Sequence, residues 1–304
     1  MHQAPKIIVL LCFLSNILLA QTDTSKKDND EILLLLDNQL PQREYVKNAF
    51  KSNRVINGHS MEMTGKGVLD FRILHRFGML KGGLSDMFGL DQASMRIGLD
   101  YGITKNLTIG MGRSTYLKEY DGYIKYRLAH QRKGKESFPI SLVWISGITV
   151  YTIPAPDPRI DYFSNRLGYY HQCIVGRKMN ENVTIQVTPT LVHRNIVPLS
   201  TDKNNMLALG LGARVKITNR SALILDTYPI LYGARKNYNY FPLSIGMDIE
   251  TGGHVFQLHI TNARGMNEKA FIAETYQTWG KGEIQFGFNL SRVFTVAKNT
   301  STSW

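Results

Sequence analysis

Hydrolytic chemistry in this 304-residue chain could draw on His59, His75, His193, His254 and His259, five of its eight histidines, together with scattered serines and acids. Acyl transfer needs a serine on a sharp turn, a base within hydrogen-bond reach and an acid behind that base. No G-x-S-x-G string supplies the turn. The nearest, Leu243-Ser244-Ile245-Gly246, lacks the first glycine and lies in a strand-like segment. His254 and His259 are an odd number of residues apart, so on a regular strand they face opposite sides and make a poor metal pair. No catalytic residue, metal or cofactor is expected. A barrel enzyme acting on lipid or peptide would need a Ser/His or Asp/His cluster assembled at its outer rim.

The charged residues follow a stricter pattern. Asp70 and Arg72, Arg96 and Asp100, Lys125 and Arg127, Arg214 and Lys216, and Asp248 and Glu250 are spaced by even numbers. Glycines such as Gly98, Gly110, Gly210, Gly212 and Gly246 share their phase, and Leu, Ile, Phe, Met and Val fill the alternate positions. Period-two alternation puts the two sets on opposite faces of a strand. Charged and small residues together suit a crowded wet interior, which leaves the apolar phase to meet lipid. These ten charged residues, with His259, are the expected lining of a lumen. Opposite charges at one depth are expected to pair across that interior and stiffen it, in preference to binding substrate.

About twelve segments carry this alternation, at 67–77, 93–102, 106–114, 119–130, 139–151, 166–177, 182–194, 205–216, 220–231, 242–250, 254–263 and 281–295. Their lengths suit the ~9–11 residues of a tilted membrane-crossing strand. The connectors alternate short and long. Thr104-Lys105-Asn106, Met179-Asn180-Glu181, Thr218-Asn219-Arg220 and Thr251-Gly252-Gly253 have tight-turn chemistry, whereas 78–92, 152–165, 195–204, 232–241 and 264–280 are long. Residues 264–280 could hide a further strand. The reading is an all-β, transmembrane, antiparallel up-and-down barrel of about 12 strands, with the short turns in the periplasm. Aromatics near strand ends, among them Tyr101, Tyr120, Tyr151, Tyr169, Tyr170 and Tyr232, are candidates for an interfacial girdle. Arg292 falls on the lipid-facing phase of the last strand, so a bulge or a snorkelling side chain is expected there.

Lys6 followed by the apolar run Ile7 to Leu19 and then Ala20 has the layout of a secretory signal, and the run is short of the ~20 residues a membrane helix needs. Residues 1–20 are therefore expected to be a cleaved signal peptide. Residues 21–66 are read as a periplasmic segment with short helical pieces, one of them around Glu44 to Phe50. The barrel takes 67–296 and a tail 297–304. The implied location is the outer membrane of a Gram-negative bacterium. The net charge of +12 contains no run of five Lys or Arg, so no nucleic-acid partner is expected. Only Cys173 follows the signal, which rules out an intrachain disulfide in the mature chain. Expected partners are outer-membrane lipid, the barrel-assembly machinery and a periplasmic protein. The leading function is passage or binding of a small solute in a narrow lumen. The barrel enzyme and a structural or partner-docking barrel in an envelope complex are the alternatives.

Several longer motifs resemble the DUF5777 family of β-barrel proteins of Bacteroidetes-type bacteria. They are Phe50-Lys51-Ser52-Asn53-Arg54-Val55-Ile56-Asn57-Gly58-His59-Ser60, Gly67-Val68-Leu69-Asp70-Phe71-Arg72, Asp121-Gly122-Tyr123-Ile124-Lys125-Tyr126-Arg127-Leu128, Glu250-Thr251-Gly252-Gly253-His254-Val255-Phe256-Gln257-Leu258 and Trp279-Gly280-Lys281-Gly282. The resemblance implies a barrel fold in the envelope and brings no activity, ligand or catalytic residue. Within the first motif, Asn53 to Ser60 is rich in hydrogen-bonding groups and immediately precedes the first strand. It either folds back into the periplasmic mouth as a plug, with Arg54 docking on Asp70, Asp248 or Glu250 and with His59 beside it, or is an ordinary ordered lead-in to that strand.

Overall fold

The computed structural model describes residues 43–154, 157 and 161–297. The expected signal peptide, residues 21–42 and the expected tail from 298 onward lie outside the described residues. The chain divides into two compact units. In the smaller one, Glu44–Tyr45 pairs antiparallel with Arg132–Lys133, and Arg43 bonds to Glu136. The expected helix around Glu44 to Phe50 does not form. Backbone groups there bond to distant chain instead, Val46 donating to the Gln131 carbonyl at 2.9 Å.

The larger unit is a barrel of twelve strands: β1 (Val68–Met79), β2 (Ala93–Gly102), β3 (Leu107–Ser114), β4 (Glu119–Ala129), β5 (Ser141–Tyr151), β6 (Leu167–Lys178), β7 (Val183–Arg194), β8 (Asn205–Lys216), β9 (Ser221–Thr227), β10 (Leu243–Thr251), β11 (His254–Thr261) and β12 (Gln285–Thr295). Each pairs antiparallel with its chain neighbours, and β12 pairs with β1. Closure removes the two edges that an open sheet would leave unbonded in hydrocarbon. The β9 ladder breaks at Tyr228-Pro229 and resumes as Ile230–Tyr232, again against β8, because proline has no N–H to donate. Residues 264–280 hold no strand; Glu268–Ala273 forms a short helix, α1.

Alternation decides which side each residue faces. Ile97, Leu99, Ile109, Met111, Ile124, Trp144, Leu211, Leu223 and Ile245 are exposed, while Arg72, Arg96, Asp121, Lys125, Gln186 and Asp248 are buried. The outer face is therefore apolar and the polar phase lies inside, as lipid around a spanning sheet demands. Tyr170 departs from the expected girdle. Adjacent residues face opposite ways, and Tyr170 shares the inward phase of Gln172, is fully buried, and lays its ring over Gly147 of β5. Tyr123 covers Gly110 in the same way. Arg292 is exposed with its guanidinium 5.0 Å from the Phe294 ring, and the β12–β1 register runs unbroken from Gly287 to Thr295. It snorkels, with no bulge beneath it.

Leu211 lies midway along β8 on the outer face. Leu211→Arg is expected to cost about 2–4 kcal/mol in the free energy of folding into lipid vesicles. Denaturant titration checks this, and inward Thr188→Ser serves as the near-neutral comparison.

Candidate functional site

The lumen is filled by two segments of chain that enter from opposite mouths. From the short-turn side comes a hairpin. Ala49 and Phe50 donate their N–H groups to Glu62 Oε1 at 2.7 and 3.2 Å, Ser60 N–H donates to the Asn53 carbonyl at 2.9 Å, and Val55 N–H to the Gly58 carbonyl at 2.9 Å. Three successive amides at the tip, Ile56, Asn57 and Gly58, converge on Asp226 Oδ2 at 3.3, 2.7 and 3.0 Å, a backbone concavity closed on a carboxylate. Gly58 is required here: a Cβ would stand 1.8 Å from the Tyr228 hydroxyl.

The wall answers the hairpin from strands all round the barrel. Gln186 on β7 donates to the His59 carbonyl at 2.7 Å and accepts from Met61 N–H at 3.0 Å. Gln257 on β11 donates to the Val55 carbonyl at 2.7 Å, and Asn289 on β12 to the Ile56 carbonyl at 3.0 Å. Arg72 and Arg76 on β1 reach Ser52 Oγ at 3.1 Å and Asn57 Oδ1 at 2.9 Å, and Lys125 on β4 bonds to the Glu62 carbonyl. A backbone with no regular sheet of its own is thus satisfied by side chains, as buried polar groups must be.

From the long-loop side, residues 262–275 turn inward and place α1 in the interior, all six of its residues buried. Asn267 caps it, accepting from Ala270 N–H at 2.8 Å while donating to Glu119 Oε2 at 2.8 Å. Phe271 packs edge-on against Tyr228 with ring centroids 5.0 Å apart. The two intruding segments meet where Arg54 Nη1 donates to Glu268 Oε1 at 2.9 Å, with 1% and 0% of the two side chains exposed. His59 Nε2 lies 3.3 Å from the same oxygen, and its ring packs against Tyr123 with centroids 4.4 Å apart. Burial is the largest influence on Arg54 and works against its charge, but Glu268 together with Tyr123, Tyr170 and Asp100 outweighs it and holds the guanidinium above its ordinary value. Burial, with Arg54 and Lys125 close by, pushes His59 well below the usual imidazole range, so it is neutral at pH 7.

The residues expected to line the lumen fall at defined places in this arrangement. Asp70 bonds Arg72 and accepts from Ser291 Oγ at 2.6 Å, and Asp100 stands 3.7 Å from Arg72. Arg96 makes a two-bond contact with Asp121, the Nε arm at 2.8 Å. Arg214 Nε is 3.8 Å from Asp248, which accepts from Gln257 at 2.8 Å. Arg127 reaches the Met61 carbonyl at 3.4 Å, Glu250 pairs with Lys51 at 2.7 Å, and His259 is buried. Lys216 is half-buried at its strand end, with no ion pair among the described residues. These charges do not pair across the lumen as expected. The plug occupies the middle, so partners lie along one strand, on nearby strands or on the plug. Arg54 likewise does not dock on Asp70, Asp248 or Glu250; those three are engaged by Arg72, Gln257 and Lys51, and the hairpin carries Arg54 deeper, to Glu268. Glu268, Asp226 and Glu119 escaped sequence reasoning. Glu268 stands outside any alternating segment, Asp226 is a single acid without a like-phase charged neighbour, and Glu119 opens its strand two residues before the like-phase Asp121.

No Ser/His/acid cluster assembles at the rim among the described residues. Ser146 and His171 are 2.9 Å apart, but they sit on the outer face partway along β5 and β6, and Trp144 donates to the same Ser146 oxygen at 2.9 Å. No metal-ligand cluster occurs among the described residues.

Residues 50–294 match the model of the membrane-bound beta barrel domain DUF5777, and the chain belongs to that family. No curated protein matches it in sequence. Solved structures similar to it include the NanC porin, at 10% identity and TM-score 0.47 over 74% of this chain and 98% of the porin. The KdgM porin is similar at 6% identity and TM-score 0.44, over 75% and 99%. LpxR from Salmonella typhimurium follows at 10% identity and TM-score 0.33, over 74% and 99%.

Glu268→Ala would leave the buried Arg54 charge unpaired, at an expected cost of about 3–5 kcal/mol. The double variant Arg54→Met/Glu268→Leu is expected to recover most of that, both read as midpoints of thermal unfolding. A second expectation concerns acid. Because His59 takes up its proton more readily in the unfolded chain than in the seated plug, its contribution is complete well above the ordinary value of about 6.5 and is lost as pH falls through it. His59→Gln should therefore flatten the loss of stability between pH 7.5 and 5, measured as the difference from wild type.

Proposed function

We propose that this DUF5777 barrel is exported by a cleaved signal and inserted by the barrel-assembly machinery into the outer membrane of a Gram-negative, Bacteroidetes-type bacterium. There it receives a small solute at its long-loop mouth and passes it only when the plug yields. The membrane reading is supported by the closed sheet, the apolar outer face and the family's description as membrane-bound. The Bacteroidetes-type origin is supported by the sequence motifs, and export by the apolar run behind Lys6.

The observation that carries the gated reading is the Arg54–Glu268 contact in mid-lumen. A barrel of twelve strands is narrow to begin with, and here both intruding segments meet in its cross-section, so a solute cannot pass between them at rest. The helix α1 connects this closure to the outside. Glu268 faces the hairpin, while the next residue, Lys269, turns toward the long-loop mouth and is held by Glu119 and Glu274. Movement of one short helix therefore acts on both the mouth and the plug.

In planar bilayers the intact protein should stay closed, with brief openings only, and deletion of residues 46–60 should give a steady conductance several-fold larger. Equal conductance with and without the hairpin would remove the gated reading.

A further inference from the structure

A cleft of about 400 Å³ opens at the long-loop mouth, above α1 and apart from the plug contact. Its walls are largely apolar and aromatic: Tyr116, Tyr151, Tyr276, Ile196, Val197 and Pro198. This is the size and character of a small-molecule pocket. Among the described residues three cations line it, and two are already neutralised. Arg166 is bound by both oxygens of Asp161, and Lys269 by Glu119 and Glu274.

Arg194, at the inner face of the end of β7, is different. It is 6% exposed, its guanidinium donates one bond, to the Lys203 carbonyl at 3.2 Å, and its Nε has no partner. No carboxylate stands within ion-pair distance of it among the described residues. A guanidinium held this far from water without a counter-charge is costly, and an anion seated in the cleft removes that cost. The Oε2 of Glu274, whose other oxygen binds Lys269, is also buried without a partner and offers an acceptor to a donor group on the same ligand.

We infer that this cleft binds a small organic anion with an apolar or aromatic body, its carboxylate or phosphate group on Arg194. This rests on the reading that solute arrives at the long-loop mouth, and it names the class of that solute. The Arg194 fork provides the anion contact, the tyrosines and Ile196 the body contact, and Glu274 the contact to a hydroxyl or amine.

The test is equilibrium binding to the detergent-solubilised full-length protein of 3-phenyllactate, its neutral amide and inorganic phosphate. Phenyllactate should bind wild type and weaken about tenfold or more in Arg194→Gln, a loss of about 1.4 kcal/mol, with Arg194→Lys intermediate and the amide weak throughout. Ile196→Trp, at an exposed loop position whose bulk fills the cleft, should block binding without touching a buried charge. Equal binding of acid and amide, or full binding in both Arg194→Gln and Ile196→Trp, overturns the site. Phosphate bound as tightly as phenyllactate overturns the apolar body, and no binding to wild type overturns the whole inference. Because binding is measured without conductance, a barrel that binds but never conducts would sink the gated reading and leave this one standing.

Discussion

A guanidinium taken out of water needs a carboxylate and a full set of hydrogen bonds, and this barrel is organised around that demand. Arg54 sits at the tip of a hairpin and Glu268 on a short helix, 214 residues apart in sequence. Neither side chain has access to solvent, so each is tolerable only where the other is. Their contact fixes how deep the hairpin enters and how far the long loop turns in. Gln186, Asp226, Gln257 and Asn289 then satisfy the hairpin backbone from four strands. Such a pair is a weak source of net stability and a strong source of position.

The same constraint separates what could be read in the sequence from what could not. Strand alternation is a local property, repeated in every segment, so the twelve strands, their order and their facing came through within a few residues. Leu243 to Glu250 is typical, with Ile245 outside and Asp248 inside. Asn53 to Ser60 could be recognised as hydrogen-bond-rich chain next to a strand, which was enough to suggest a plug. Its depth was not legible, because that depends on Glu268, an acid in a connector with no period to mark it. The absence of pairing across the lumen has the same cause. Once the centre holds chain, Asp70 finds Arg72 two residues away and Arg96 finds Asp121 on a strand two places along. Tyr170 shows the smaller limit: adjacent tyrosines cannot both face lipid, and the glycine that chose between them, Gly147, lies on another strand.

The polar phase therefore serves closure. Charges that sequence alone would assign to a water-filled lining hold a hairpin in place, while an unneutralised charge, Arg194, stands at the mouth where solute would first arrive. Between them lies α1, which presents Glu268 to the plug and Lys269 to the cleft. The proposed recognition outside and the closure inside thus share six residues of helix, so occupancy of one would bias the other through that element.

The lumen is closed at rest by a seated hairpin and a buried helix. Amide hydrogen exchange on the full-length protein in lipid vesicles measures this directly. Protection of the Val55, Ile56, Asn57, Gly58, Ser60, Phe271 and Glu274 amides comparable to that of the strands is predicted, since these N–H groups are hydrogen-bonded. Exchange of these amides at the rate of exposed loops, with the strands still protected, would contradict it.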